Sequence, residues 1–142
     1  MQLTNYVEIS EVGAAVGAAN NTDQNSDILD MANWQGVVFV VPVVSATTGG
    51  VATLHVEQNS VNSDSGMTAV TGGTATKTSA TANTLLVVDV FEPRERYVQG
   101  VVTTATQTVA VGNTIAIKYG PRKMPPAEAA TIADLVAVVS PA

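Results

Sequence analysis

Gln35-Gly36-Val37-Val38-Phe39-Val40-Val41-Pro42-Val43-Val44 is the stretch on which the fold turns. It is a near-continuous apolar run, far too short to span a bilayer, and it reads as a strand buried on both faces. A branched Cβ loses rotamer freedom in a helix and packs well on a pleated sheet, so the valines favour the extended form. Pro42 has no amide hydrogen to give to a ladder, which places the far end of the strand at an edge or a bulge. Ala46-Thr47-Thr48-Gly49-Gly50 then turns the chain, and Val51 to Gln58 returns in alternation. On that period Leu54 and Val56 face inward, while His55 and Glu57 face out.

Working outward, Thr84 to Phe91 and Arg96 to Thr104 read as two further strands, the first of them buried. Asn59 to Ser65 is a polar loop and Met67 to Thr71 a short strand. Gly72 to Asn83 is low in complexity and suits a loop or a weak edge strand. Near the end, a two-residue Gly112-Asn113 turn would set Val111 opposite Thr114 and Val109 opposite Ala116. A three-residue loop including Thr114 instead pairs Val111 with Ile115 and Val109 with Ile117, giving one apolar face, and is the favoured register. Upstream, Leu3, Tyr6, Val7 and Ile9 suggest a first strand, and Gly13 to Ser26 a loop or extended arm. Ser26 would then cap one helical turn leading to Trp34. After Pro125-Pro126 the spacing of Ile132, Leu135, Val136 and Val139 allows a helix, and Leu135 to Val139 alone allows a strand. The prolines suggest that this segment leaves the main body to lie on a neighbour. Seven or eight short strands predict an all-β antiparallel β-sandwich, with the jelly roll as one arrangement, and extended N- and C-terminal segments. Within a single domain, the division is a strand or arm and flexible loop over 1–27, a sandwich core over 28–126 and a C-terminal arm over 127–142.

Composition narrows the function. Apolar residues make up 46% of the 142 and aromatics 4%, so the core is built of aliphatic side chains. Charged residues are only 13%, about half the usual share. Such a sparsely charged surface is easiest to understand if neighbours in an assembly cover much of it. A formal charge of -6 and a pI near 4.4 argue against nucleic acid and against anionic membrane as partners. There is no cysteine, which removes disulfides and thiolate metal sites. Met1-Gln2-Leu3-Thr4-Asn5 lacks the basic start and apolar core of a secretory signal, so the expectation is a soluble product made in the cytoplasm.

Few residues carry catalytic chemistry. His55 is the only histidine and sits on the polar side of its strand. Asp23-Gln24-Asn25-Ser26-Asp27 opens like a calcium loop, but Ile28 and Trp34 stand where such a loop needs glycine and glutamate. Asp89 and Glu92 lack any sign of a sugar cleft around them. Gly49-Gly50 and Gly72-Gly73 lack the Lys-Ser/Thr of a phosphate loop. The expectation is therefore no catalytic residue, no metal and no cofactor.

The basic residues are different. None precedes Lys77, and five of the six fall late, in Phe91-Glu92-Pro93-Arg94-Glu95-Arg96-Tyr97 and in Lys118-Tyr119-Gly120-Pro121-Arg122-Lys123. Each string follows an apolar strand and sets proline next to arginine, which holds the chain extended and presents long cationic arms at a sheet end. If the preceding strands run the same way, both strings lie at one end. The alternative is that Arg94 and Arg96 merely pair with Glu92 and Glu95 on a solvated rim.

These strings, with Ile28 to Val40, Leu54 to Ser60 and Val88 to Val98, resemble the head decoration or cement proteins of tailed bacteriophages. The resemblance runs from about Ile28 to Pro126. It implies a non-enzymatic structural protein of the virion, a sandwich that binds the outer capsid surface and bridges capsomers. Its partners would be the major capsid protein and, as a homo-oligomer, further copies of itself. The expected capsid-contact residues are Arg94, Arg96, Arg122 and Lys123. The other readings are a tail or head-completion β protein and a carbohydrate-binding module; the latter needs exposed aromatic platforms.

Overall fold

The computed structural model describes residues 2–78, 80–124, 126, 129 and 131–137. After a short 3-10 turn at Leu3–Asn5, eleven strands follow: β1 Val7–Gly13, β2 Val16–Ala19, β3 Thr22–Asn25, β4 Leu29–Asp30, β5 Gly36–Ala46 and β6 Val51–Asn59, then β7 Thr68–Lys77, β8 Thr84–Phe91, β9 Tyr97–Ala105, β10 Val109–Val111 and β11 Thr114–Tyr119. Every pairing is antiparallel, and the strands form two sheets packed face to face, the β-sandwich expected from the sequence. In the first sheet β5 is the spine, with β8 on one side and β10 and β11 end to end on the other; β1 and β2 flank these in turn. The second sheet runs β7, β6, β9, with β3 and β4 along the far side of β9. Val37, Phe39, Val41 and Val43 of β5 meet Leu54 and Val56 of β6 and Val98 of β9 in the core.

Pro42 breaks the first sheet as its chemistry requires. Its carbonyl accepts the Gly112 amide at 2.8 Å, so in an antiparallel ladder its nitrogen faces the same neighbour. That nitrogen has no hydrogen to give, and the neighbouring strand is interrupted there, between β10 and β11. A Cβ on Gly112 would lie 2.6 Å from Pro42 Cγ, so only glycine fits the crossing. The favoured hairpin register is therefore wrong. β10 and β11 do not pair with each other but share β5, with Val109 and Val111 turned into the core and Ile115 and Ile117 on the outer face.

Other expectations are corrected too. The stretch from Gly13 to Ser26 holds β2 and β3, because small and polar side chains at a sheet margin need backbone partners, which β10 and β9 supply, and not deep burial. Ser26 caps no helix. Buried at 6% exposure, its hydroxyl accepts the Gly100 amide and donates to the Asp27 carbonyl. The first strand begins only at Val7, after the 3-10 turn. β5 and β8 are each buried on one face alone, not on both: Val37, Phe39, Val41 and Val43 of β5 and Leu86, Val88 and Val90 of β8 point in, while Val44, Leu85, Val87 and Phe91 are exposed. β7 joins the predicted short strand to the supposed loop, with a bulge at Val70–Gly73. The inward and outward residues of β6 fall as the alternation required. The described part of the C-terminal segment is neither helix nor strand, and it lies against its own β1, where Thr131 Oγ1 accepts the Glu11 amide at 3.1 Å. Val139 lies outside the described residues.

Candidate functional site: a cationic cleft at one end of the sandwich

β8 and β11 both run antiparallel to β5, hence in one direction, and both end opposite Gly36, through Phe91 and Tyr119. The two basic strings therefore leave the sheet at the same end. Between them lies a cleft of about 820 Å³, walled by Glu92–Arg96 and Gly120–Arg122 and floored by Met31, Trp34 and Gln35. Main-chain bonds from the Asp30–Gln35 loop hold both walls. The Met31 amide donates to the Arg96 carbonyl, the Arg122 amide to Asn33, the Gln35 amide to Tyr119, and the Glu92 amide to Gln35. Gln58 of β6 accepts the Arg94 and Glu95 amides at 3.1 and 3.3 Å. Two residues in the left-handed region make the turns: Glu92 at φ 50, and Gly120 at φ 65, where a Cβ would also run into the Gln35 side chain.

The four expected contact residues do not behave alike. Arg96 makes a bidentate pair with Asp30, at 2.9 and 2.8 Å, and lies 5.2 Å from the Tyr97 ring centroid. That hydrogen bond holds the Asp30 carboxyl down at about 2 and pushes the guanidinium up. Both side chains are about half exposed, so the pair chiefly fixes the geometry of the wall. Its partner is Asp30, not Glu92 or Glu95. Arg94 and Arg122 line the cleft, Lys123 stands exposed beside it, and none of the three forms an ion pair among the described residues. Lys118 is withdrawn from the group: it bonds Glu8 at 2.9 Å and lies 5.0 Å over Trp34. That contact occupies one face of the ring a sugar platform would need.

Sequence reasoning missed Tyr119. Its ring crosses Gly36, where any Cβ would collide with it, and its hydroxyl donates to Asp89 Oδ1 at 2.6 Å, so that β11, β5 and β8 are strapped together behind the cleft. Burial, the hydrogen bond to Asp89 and that carboxylate's charge push the phenol up to about 12. The folded chain thus holds this proton more tightly than the unfolded chain, whose phenol ionises near 10. The stabilisation is intact below pH about 10 and is lost between about 10 and 12. The stability gap between wild type and Tyr119→Phe should close across that window in chemical-denaturation series; a gap that stays constant would show that the folded chain does not hold this proton more tightly than the unfolded one.

His55 bonds Glu57 at 3.2 Å on the outer face of β6, and Asp23 and Asn25 lie on β3, not on a loop. No cluster of three or more metal-ligating side chains occurs among the described residues.

No family model and no curated protein matches the sequence. Several solved structures align with the chain. The PBSX exported protein XepA aligns with a TM-score of 0.57 at 14% identity, over 98% of this chain and 45% of that one. The CBM22-1–GH10 modules of Clostridium thermocellum xylanase 10B align at 0.49 with 16% identity, over 89% of this chain and 27% of that one. Murine APRIL aligns at 0.48 with 5% identity, over 80% and 98%. The likeness to XepA shows a common β-sandwich, and this chain spans under half of that protein's length. Fold and site together define an antiparallel sandwich with a mixed-charge cleft at one end and uncommitted cations on its rim.

Proposed function

We propose that the chain is a non-enzymatic structural protein of a phage particle, which docks its cationic end on the outer capsid surface and braces neighbouring capsomers. The observation that carries this reading is the convergence of both basic strings on one end of an otherwise acidic molecule, with Arg94, Arg122 and Lys123 left without carboxylate partners among the described residues. Structural pairing would have used them, as it uses Arg96 and Lys118. A wall held by main-chain bonds presents these cations from a backbone that needs no further ordering on docking. Each contact is weak, and many copies on a closed shell turn weak contacts into stable occupancy. XepA supports the reading only by showing that such a sandwich occurs in a protein of PBSX.

Arg94, Arg122 and Lys123 changed together to Ala should lower the affinity for purified heads of the parent phage by on the order of tenfold. The remaining binding should lose most of its salt dependence. Occupancy and salt response like those of wild type would sink the proposal.

A further inference from the structure

The two outer faces of the sandwich are unlike. That of the second sheet is polar, with Thr53, His55 and Glu57 on β6 beside Thr74 and Thr76 on β7. That of the first sheet is apolar across three adjacent strands: Leu85 and Val87 on β8, Val38 and Val40 on β5, Ile115 and Ile117 on β11. The register sets Val87 beside Val40 and Val40 beside Ile115, so the side chains form one continuous surface. Leu85 and Val87 are 63% and 48% exposed. The one carboxylate on the β8 part of this face, Asp89, is taken by Tyr119.

We propose that this face is where two copies of the chain associate, sheet against sheet. Three observations select a second copy as the occupant. Along β8, β5 and β11 the one charge on this face is Asp89, which sits toward the cleft end and accepts the Tyr119 hydrogen bond, so the rest is apolar and its complement is another apolar surface, which a second copy supplies. At the β1 margin the chain's own C-terminal segment already lies against the sheet, and its Ile132 and Leu135 line one cavity with Val7 and Ile9, so part of the face is already met by an apolar segment of this chain. The dimensions also suffice. From Gly36 to Val44, at roughly 3.3 Å per residue, and across four rows, namely β8, β5, β11 continued by β10, and β1 beneath the C-terminal segment, at roughly 4.8 Å per strand, the face covers about 500 Å². Two such faces bury about 1,000 Å², the lower bound for a specific interface, which describes a weak and concentration-dependent dimer. A chain with only 13% charged residues offers little to oppose it.

The test is sedimentation equilibrium of the full chain over a wide concentration range. Wild type should dimerise. Val87→Glu and, independently, Leu85→Lys should raise the dimer Kd by at least about tenfold, because an unpaired charge on a buried face is strongly disfavoured. Both sites are exposed positions of an edge strand, and circular dichroism will confirm folded monomers. Thr53→Glu, on the polar face, should dimerise like wild type. The inference is overturned if wild type stays monomeric throughout, or if the two β8 variants dimerise as it does. A monomeric wild type that still adds to heads through its cations would remove this interface and leave the docking proposal standing.

Discussion

Phe39→Ala should lower the unfolding free energy by about 3–5 kcal/mol, at the upper end for core truncations, and the melting temperature by roughly 10–20 °C. Phe39 is fully buried, whereas the other phenylalanine, Phe91, is 61% exposed. The ring crosses the sandwich to the backbone of β9, where Gly100 leaves room: a Cβ there would lie 3.0 Å from Phe39 Cδ1. Its neighbours are largely valines on paired strands, with a single χ1 each and no reach, so the cavity cannot close by repacking. Phe39→Leu should cost clearly less, because it keeps most of the volume. Urea denaturation of the three proteins decides the point, and an alanine variant within about 1 kcal/mol of wild type would show that the core is not close-packed there.

Gly36→Ala is the second large effect, and it couples to the cleft. The added methyl occupies the space of the Tyr119 ring, so the ring must leave and its bond to Asp89 is lost. The expected cost is about 1–3 kcal/mol, typical of overpacking. Since Phe91 and Tyr119 flank Gly36 at the roots of the two basic strings, the same change should loosen both cleft walls. A double-mutant cycle isolates the contact. On a Tyr119→Ala background the methyl meets no ring and Gly36→Ala should be nearly neutral, so most of its cost should appear as coupling. Additive effects would place the strain elsewhere.

The architecture was legible where side-chain burial writes a period. Gln35–Val44 and Val51–Gln58 declare their strands, and Pro42 marks a break that the structure places within a residue or two. The cleft was half legible, because two basic strings after two co-directional strands must meet. Three things were not. β2 and β3 carry almost no bulky residues, so their strand character resides in backbone bonds to β10 and β9, of which the side chains give no sign. The β10–β11 register failed because residues adjacent in sequence were assumed to pair, whereas both found β5. The commitments of Arg96 to Asp30, Lys118 to Glu8 and Tyr119 to Asp89 join residues far apart in the chain, and spacing cannot reveal them.

The pairing of β1 with β11 has a bearing on synthesis. β1 waits for β11, and β5 lacks one of its three neighbours until Ile115 to Tyr119 have left the ribosome. Native closure of this sheet is consequently dominated by non-local contacts, slow by the standards of small domains. Until it is reached, the nascent polypeptide holds the apolar run Val37 to Val41 without its final partners and open to association with its sisters.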